Sequence, residues 1–229
     1  MAKSLSITVV AETDLRLDCL PVATRKAFRF FTVDPILAET TWYLAGGTAL
    51  TLQVGHRKSV DLDFFCPDSS FDELAWERRL LRTGAWDTTK REDGTLYGKM
   101  LGAKVSFIAY PFFKPTQKRF ACGNVRMLAA EDIAVMKIIA VSQRGRKRDF
   151  VDLYWYCRHK EPLADIIRRT IRQYPGQDQN LNHILASLRF FHDAEGDPMP
   201  KTEFAVQWSQ VKRYFEKEVP QLAKTFYEL

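Results

Sequence analysis

The sequence predicts an α+β first domain followed by an all-α second domain, and three observations carry that expectation. Short runs with β character alternate with helical runs up to about residue 129; beyond it the apolar spacing is helical almost throughout; and Gly and Pro punctuate the points where either pattern stops. The expected domains are 1–129 and 130–229. With 229 residues, 46% of them hydrophobic and 13% aromatic, the chain can bury one large core or two small ones, and only 11 glycines and 10 prolines exclude collagen-like and low-complexity classes.

Residues 22–39 carry apolar side chains at roughly helical spacing, and Pro35 divides them into two short helices. WYLAG (42–46) reads as a buried strand. After Gly46 and Gly47, Thr48 opens a helix that places Ala49, Leu50 and Val54 at helical intervals and stops at Gly55. SVDLDFF (59–65) alternates strictly, with Val60, Leu62 and Phe64 on one face. Ser70 followed by Glu73 is a capping-box signature for a helix running to about Arg82. LYGKML and KVSFIAYPF, joined at Gly102, read as a hairpin, and VRML (125–128) as a short strand. A helix then begins near Ala130, with Glu131 and Asp132 in its first turn, where the helix dipole favours acids. The later helical pattern breaks near Gly145, Pro162, Pro175 to Gly176, and in AEGDPMP (194–200).

The four cysteines, Cys19, Cys66, Cys122 and Cys157, form no C-x-x-C pair and no histidine stands at zinc-finger spacing, which argues against a structural zinc site or a disulfide framework. No run approaches the roughly 20 apolar residues that span a bilayer, and the first residues reach an acid before any signal-like run, so a cytoplasmic location without a membrane partner is expected. The net charge is +6, and its distribution says more than its size. From Gly94 to Ala130 there are six basic residues (Lys99, Lys104, Lys114, Lys118, Arg119, Arg126) and no acidic one; Lys137, Arg144, Arg146, Lys147 and Arg148 form a second cluster. Cations set apart from carboxylates suit a phosphate-bearing partner; a solvated basic face without one is the equal alternative.

In SVDLDFF the same alternation places Asp61 and Asp63 together, opposite Leu62. Carboxylates about 6–7 Å apart on one strand face repel by roughly 2–3 kcal/mol at an effective dielectric of about 20, so a cation between them is expected. Mg2+ is the simplest candidate, because it binds through one or two carboxylates and keeps water and substrate phosphate in its other positions. Two aspartates alone also occur on an exposed sheet edge, and the neighbouring residues separate these readings. The WYLAG strand runs into Gly46 and Gly47 and then a helix start at Thr48, whose N–H groups and positive dipole end form an anion site that glycine leaves open. A phosphate cradle and metal ligands are thus expected on adjacent strand ends.

This order, an apolar residue, two glycines and then Asp, apolar, Asp, resembles the signature of polymerase-β-like nucleotidyltransferases. WYLAGGTALTLQVGHRKSVDLDFF is more similar still to the AbiEii/AbiGii-type nucleotidyltransferase toxins of bacterial abortive-infection and toxin-antitoxin systems, and EDIAVMKIIAVSQRGRKRDFVDLYW resembles that family's second block. The two blocks cover about a fifth of the chain and keep the family order from roughly residue 20 to residue 160. The resemblance implies a polymerase-β-like fold with a mixed sheet in the first domain. It implies a magnesium-dependent enzyme, with two ions expected, that transfers a nucleoside monophosphate from a nucleoside triphosphate to an RNA acceptor such as a tRNA, or to a protein. In that scheme Asp61 and Asp63 are catalytic metal ligands, and Gly46, Gly47 and Thr48 cradle the β- and γ-phosphates. Lys137 and Arg144 neutralise developing charge with Arg148 beside them, and the stretch from Lys99 to Arg126 guides a polyanionic acceptor. A toxic output and an antitoxin partner follow from the same resemblance.

Some of these residues have a structural reading as well. Lys137 lies three or four residues from Ile133, Ala140 and Val141, on the apolar stripe of its helix; it either snorkels at the border of that stripe or reaches toward phosphates. Arg144 shares its face. Asp149 and Asp152 at i, i+3, and Arg148 with Asp152 at i, i+4, either brace a helix surface or border the site, touching metal or orienting Arg144 and Arg148. Arg57 and Ser59 fall on family positions, Arg57 binding phosphate or bridging Asp63, while His56 reads as structural. Ser106 stands on the strand where many polymerase-β-like enzymes carry a third carboxylate. The general base is therefore open between water or a metal-bound hydroxide, an aspartate from another element, and a site that binds nucleotide without efficient transfer. The alternative to an enzyme is accordingly a non-catalytic nucleotide-binding or interaction module with a degenerate site.

Overall fold

In the computed structural model, which describes residues 6–175 and 180–227, the strands and helices of the first half build one sheet. The elements are β1 (Ile7–Val9), α1 (Val22–Val33), β2 (Tyr43–Ala45), α2 (Gly46–Val54), β3 (Leu62–Cys66), α3 (Glu73–Leu81), β4 (Trp86–Glu92), β5 (Thr95–Met100), β6 (Ala103–Ala109), β7 (Arg119–Cys122) and β8 (Val125–Met127). The strands lie in the order β1-β7-β8-β2-β3-β6-β5-β4. The sheet is mixed: β3 runs parallel to β6 and antiparallel to β2, and β6 runs antiparallel to β5. Helix α4 (Ala130–Arg144) follows, and the chain divides into two compact units at Met1–Ile133 and Ala134–Leu229.

Side-chain alternation decides what each face of the sheet does. Leu62, Phe64 and Cys66 of β3 and Val105 and Phe107 of β6 are buried on one face. There Phe64 stacks on Phe107 at 5.1 Å, Phe31 of α1 meets Phe64 edge-on at 5.1 Å, and Trp76 of α3 meets Phe107 at 5.3 Å. Helices α1 and α3 therefore cover the aromatic face, each ring pair adding about 0.5–1.5 kcal/mol beyond its buried area. The opposite face receives Asp63 of β3, which pairs in register with Ser106 of β6, and then Tyr97 of β5, which pairs with Ser106. Leu101 and Gly102, both with positive φ (51° and 80°), close the tight β5–β6 hairpin.

The strand expected at SVDLDFF begins only at Leu62, and Val60 is 51% exposed rather than part of the buried face. Its carbonyl accepts the Thr24 hydroxyl at 2.7 Å, which holds this stretch outside the ladder. Helix α2 starts at Gly46, two residues before Thr48. The cap of α3 is Asp72, whose carboxylate accepts the Ala75 N–H at 2.8 Å, and not Ser70. Glu73 instead accepts the Gly94 N–H at 2.7 Å and ties the helix to the β4–β5 turn. Strands β1, β4 and β7 were not expected from sequence. In β4 only Trp86 is buried; its polar TTKRE run is extended because β5 pairs with it, as edge strands commonly are.

The second unit contains α5 (Lys147–His159), α6 (Leu163–Gln173), α7 (Leu181–Ser187), α8 (His192–Glu195) and α9 (Trp208–Tyr227). Gly145 (φ +49°) and Pro162 separate α4, α5 and α6 where the sequence punctuates them, and Gly176 lies outside the described residues. AEGDPMP begins inside α8. Helix α6 buries Leu163, Ile166, Ile167 and Thr170 as one stripe. Phe150 of α5 meets Phe191, Trp208 and Phe215 at 5.3, 5.8 and 5.5 Å and centres the core. The architecture is thus an α+β unit with a mixed sheet and a helical second unit, as expected. Among the described residues no helix is long and apolar enough to cross a membrane, and none of the four cysteines forms a disulfide. Replacing Asp72 by Ala is expected to lower stability by about 1 kcal/mol in urea unfolding, while Ser70→Ala stays within about 0.5 kcal/mol.

Candidate active site

Helix α2 follows β2 with no connecting loop; Ala45 ends the strand and stands at the helix N-cap without a side-chain cap. Ala45 pairs with Asp63 on β3, which brings the helix start against the Asp63 side chain. Gly46 has φ +69°, and a Cβ there would lie 3.1 Å from Asp63 Oδ2. At Gly47 a Cβ would lie 2.1 Å from Arg57 Nη2 and 3.5 Å from Ser59 Oγ. The first two helical positions therefore lack side chains because Asp63 and Arg57 take that space. Thr48, Arg57 and Ser59 are all buried. The Thr48 hydroxyl donates to the Asp61 carbonyl and shares a hydrogen bond with Ser59 Oγ at 2.8 Å, so it fixes the backbone of Asp61. Arg57 Nη1 donates to the Lys58 carbonyl at 3.0 Å, and His56 is buried beside it. What the turn offers an anion is its first-turn N–H groups, which have no acceptor within the helix.

Asp61 and Asp63 are half-buried and line an open cavity of about 380 Å3. Thr89 of β4, Tyr97 and Lys99 of β5, and Lys104 and Ser106 of β6 complete its wall. Ser106 Oγ donates to Asp63 Oδ1 at 2.6 Å, so at the position where a third carboxylate was sought a hydroxyl holds one oxygen of Asp63. Among the described residues no group of three or more His, Cys, Asp or Glu side chains could hold a metal by itself. Two carboxylates at an open cavity do fit Mg2+, which takes few protein ligands and completes its shell with water and substrate phosphate.

The basic stretch from Lys99 to Arg126 does not form one surface. Lys99 and Lys104 reach the aspartate cavity. Arg119 instead lies 5.2 Å over the Tyr43 ring, and Arg126 donates to the Thr40 carbonyl.

In the helical unit Lys137 is only 4% exposed. Its ammonium stands 2.6 Å from Asp149 Oδ1 and 2.7 Å from Asp152 Oδ2, both carboxylates fully buried. The lysine therefore does not snorkel to solvent; it lies between two carboxylates. Arg144 Nε donates to Asp149 Oδ2 at 3.2 Å while half of its side chain stays exposed. Burial pushes the Asp149 carboxyl up, but Lys137 and then Arg144 outweigh that and hold it below the usual carboxylate range. Arg146 pairs with Asp197 at 2.8 Å, and Lys147 donates to the carbonyls of Glu195 (3.2 Å) and Asp197 (2.5 Å). Arg148 is exposed. This second cluster is thus tied to carboxylates and carbonyl groups of its own unit rather than set apart from them.

Paired aspartates against a two-glycine helix start, with a lysine bound by two aspartates in the later block, agree with a match over most of the chain. Residues 35–95 and 107–227 fit the family described as "Nucleotidyl transferase AbiEii toxin, Type IV TA system". The chain belongs to the AbiEii family. A relative from Aquifex aeolicus (strain VF5), the uncharacterized protein aq_aa25, is 33% identical over 182 residues, covering 78% of this chain and 86% of the relative. The AbiEii chain also shares its fold with a Helicobacter pylori protein assigned as a nucleotidyltransferase (TM-score 0.53, 16% identity, 90% of this chain and 95% of that one). MenT4, a nucleotidyltransferase toxin of Mycobacterium tuberculosis H37Rv, is similar too (TM-score 0.52, 18% identity, 87% and 86% covered). At such identities the likeness is one of fold. Of the residues singled out in the sequence, Lys99, Gly102, Lys104 and Ser106 fall between the two matched AbiEii segments.

Sequence reasoning missed Thr89 and Tyr97 as cavity residues, and it gave Asp132 to the helix dipole. Asp132 is fully buried and accepts the N–H groups of Thr116 and Gln117, each at 3.1 Å, so it clasps a loop. The alternation in TLYGKM could have put Tyr97 and Lys99 on one face, but only register says that this face carries Asp63.

Gly46→Ala is expected to cost about 1–2 kcal/mol from its left-handed backbone alone, read as a lower urea midpoint. Lys137→Met leaves buried carboxylates short of a cation and is expected to cost about 3–5 kcal/mol. The folded value of Asp149 lies below its unfolded one of about 3.9. Its contribution is therefore complete above that pH and disappears as pH falls through the folded value. Stability measured against pH should show a shallower acid limb in Asp149→Asn than in wild type.

Proposed function

We propose that this AbiEii-family chain transfers a nucleoside monophosphate from a nucleoside triphosphate to a hydroxyl of an RNA acceptor, and that it acts in the cytoplasm as the toxin of a toxin-antitoxin pair. The observation that carries this reading is the position of Asp63, which meets the Gly46 helix start through Oδ2 and, with Asp61, lines an open cavity. Family membership supports the reaction class, and the family's description as a toxin supports the antitoxin partner.

The triphosphate would lie at the start of α2, where the N–H groups of Gly46, Gly47 and Thr48 and the helix dipole attract it. Arg57, packed behind Gly47, adds positive charge at the same end. Asp61 and Asp63 would hold Mg2+, which when bound offsets the charge of the triphosphate and polarises the phosphoryl group under attack. Ser106 fixes Asp63 Oδ1, so the carboxylate keeps Oδ2 toward Gly46. In the helical unit, taken by itself, Arg144 and Arg148 would carry phosphate-binding charge, and Lys137 would act through Asp149 to position Arg144. The acceptor oxygen forms a bond to the α-phosphorus as the α–β phosphoanhydride bond breaks. Pyrophosphate leaves, and the hydroxyl proton passes to water.

A second reading, nucleotide binding without transfer, is motivated by Ser106, a hydroxyl in register with Asp63. Incubation with each labelled nucleoside triphosphate, Mg2+ and total RNA separates the two. The wild type is expected to label RNA, and Asp61→Ala or Asp63→Ala to lose on the order of 10²–10³ in rate. Ser106→Ala should lose about 10–100-fold while still binding nucleotide. Bound nucleotide with no product on any acceptor would favour the second reading, and label on protein would change the acceptor class. Induced expression should arrest growth for wild type and not for Asp61→Ala.

A further inference from the structure

The cavity beside Asp61 and Asp63 has a second wall that the family pattern does not describe, since the matched segments stop at residue 95 and resume at 107. This wall is the β5–β6 hairpin, and its exposed face is set by register. Asp63 pairs with Ser106 and Ser106 with Tyr97, so these three form a row across adjacent strands. At about 4.8 Å per strand, Tyr97 stands about 10 Å from Asp63. In the neighbouring row Lys104 pairs directly with Lys99, and both line the cavity that Asp61 also lines. Tyr97 is 37% exposed and both lysines are exposed. Among the described residues neither lysine makes an ion pair or a side-chain hydrogen bond.

Like charges directly opposite each other on adjacent strands are destabilising. The Lys99–Lys104 pair therefore calls for an anion, as the aspartate pair calls for a cation. An aromatic ring one position along from a cation pair is what a single nucleic-acid strand recognises, base on ring and phosphate on charge. The strand order β2-β3-β6-β5 puts Gly46 and the α2 start on one side of the aspartates and this wall on the other. The two substrates of a transfer reaction then have separate approaches to the same carboxylates.

We infer that Tyr97, Lys99 and Lys104 are the docking wall for a single-stranded RNA end, one base stacking on the Tyr97 ring and the backbone phosphate beside it lying over the lysine pair. The assignment of that RNA as acceptor rests on the transfer reading; the binding itself needs no turnover. The test is fluorescence anisotropy of a short labelled single-stranded RNA with the full chain, without nucleotide, over a series of salt concentrations. Lys99→Gln combined with Lys104→Gln should weaken binding and reduce the slope of log affinity against log salt by about 1.4, which is about 0.7 for each lost phosphate contact. Lys99→Arg with Lys104→Arg should keep the wild-type slope. Tyr97→Leu should weaken binding by about 5- to 100-fold and Tyr97→Phe should restore it, because the ring and not the hydroxyl carries the stacking.

Unchanged affinity and slope in the Gln and Leu variants would overturn the inference, as would a chain that binds no RNA. It would also fall if calorimetry showed these variants losing nucleoside triphosphate rather than RNA, or if the wall held an acidic peptide more tightly than RNA. RNA binding that depends on this wall in a chain that labels no acceptor would leave the inference standing and remove the transfer reading alone.

Discussion

The stacked pair Phe64 and Phe107, fully buried between β3 and β6, is the contact on which the site depends. Strand side chains alternate with a period of two, so a slip of one residue between these strands would send the phenyl rings to solvent and the aspartate into the core. With Phe31 from α1 and Trp76 from α3 closing over them, the rings admit one register. That register places Asp63 beside Ser106, Ser106 beside Tyr97, and Lys104 beside Lys99 on the opposite face. The polar arrangement is thus a consequence of aromatic packing on the other side of the same sheet.

A second constraint is space at the start of α2. Asp63 Oδ2 and the Arg57 guanidinium occupy the volumes that side chains at positions 46 and 47 would need. Glycine at both positions lets backbone N–H groups, a carboxylate and a guanidinium meet at one point, which no larger residue permits. The chain then treats its two pairs of aspartates in opposite ways. Asp149 and Asp152 are fully buried and balanced by Lys137, with Arg144 on Asp149; such a cluster is costly to break and fixes how α4 and α5 pack. Asp61 and Asp63 are half-buried at a cavity, where a hard cation and phosphate oxygens have room.

Legibility in the sequence followed the strength of local patterning. The strand into Gly46-Gly47, the paired aspartates, the β5–β6 hairpin and α4 were readable because alternation, helical spacing and turn residues act within a few positions. Strand β4 was not readable, since Asp87 through Glu92 is extended only because β5 lies beside it. Asp72 displaced Ser70 as the cap of α3, because Glu73, the other half of the expected box, is drawn away by the Gly94 N–H. The basic residues misled most. Charge along the chain suggested a continuous surface, yet Arg119 stacks on Tyr43, Lys147 turns inward to carbonyl groups, and Lys137 is enclosed by carboxylates twelve and fifteen residues away.

By itself the sequence determined the class of the molecule and the glycine turn beside the D-x-D segment, because these depend on backbone freedom and periodicity over short spans. Tertiary structure alone decided which cations face the aspartates, which are consumed in internal pairs, and that Ser106 holds Asp63. Strand register and the burial of charge join residues far apart in the chain, and no local pattern encodes which of them will meet.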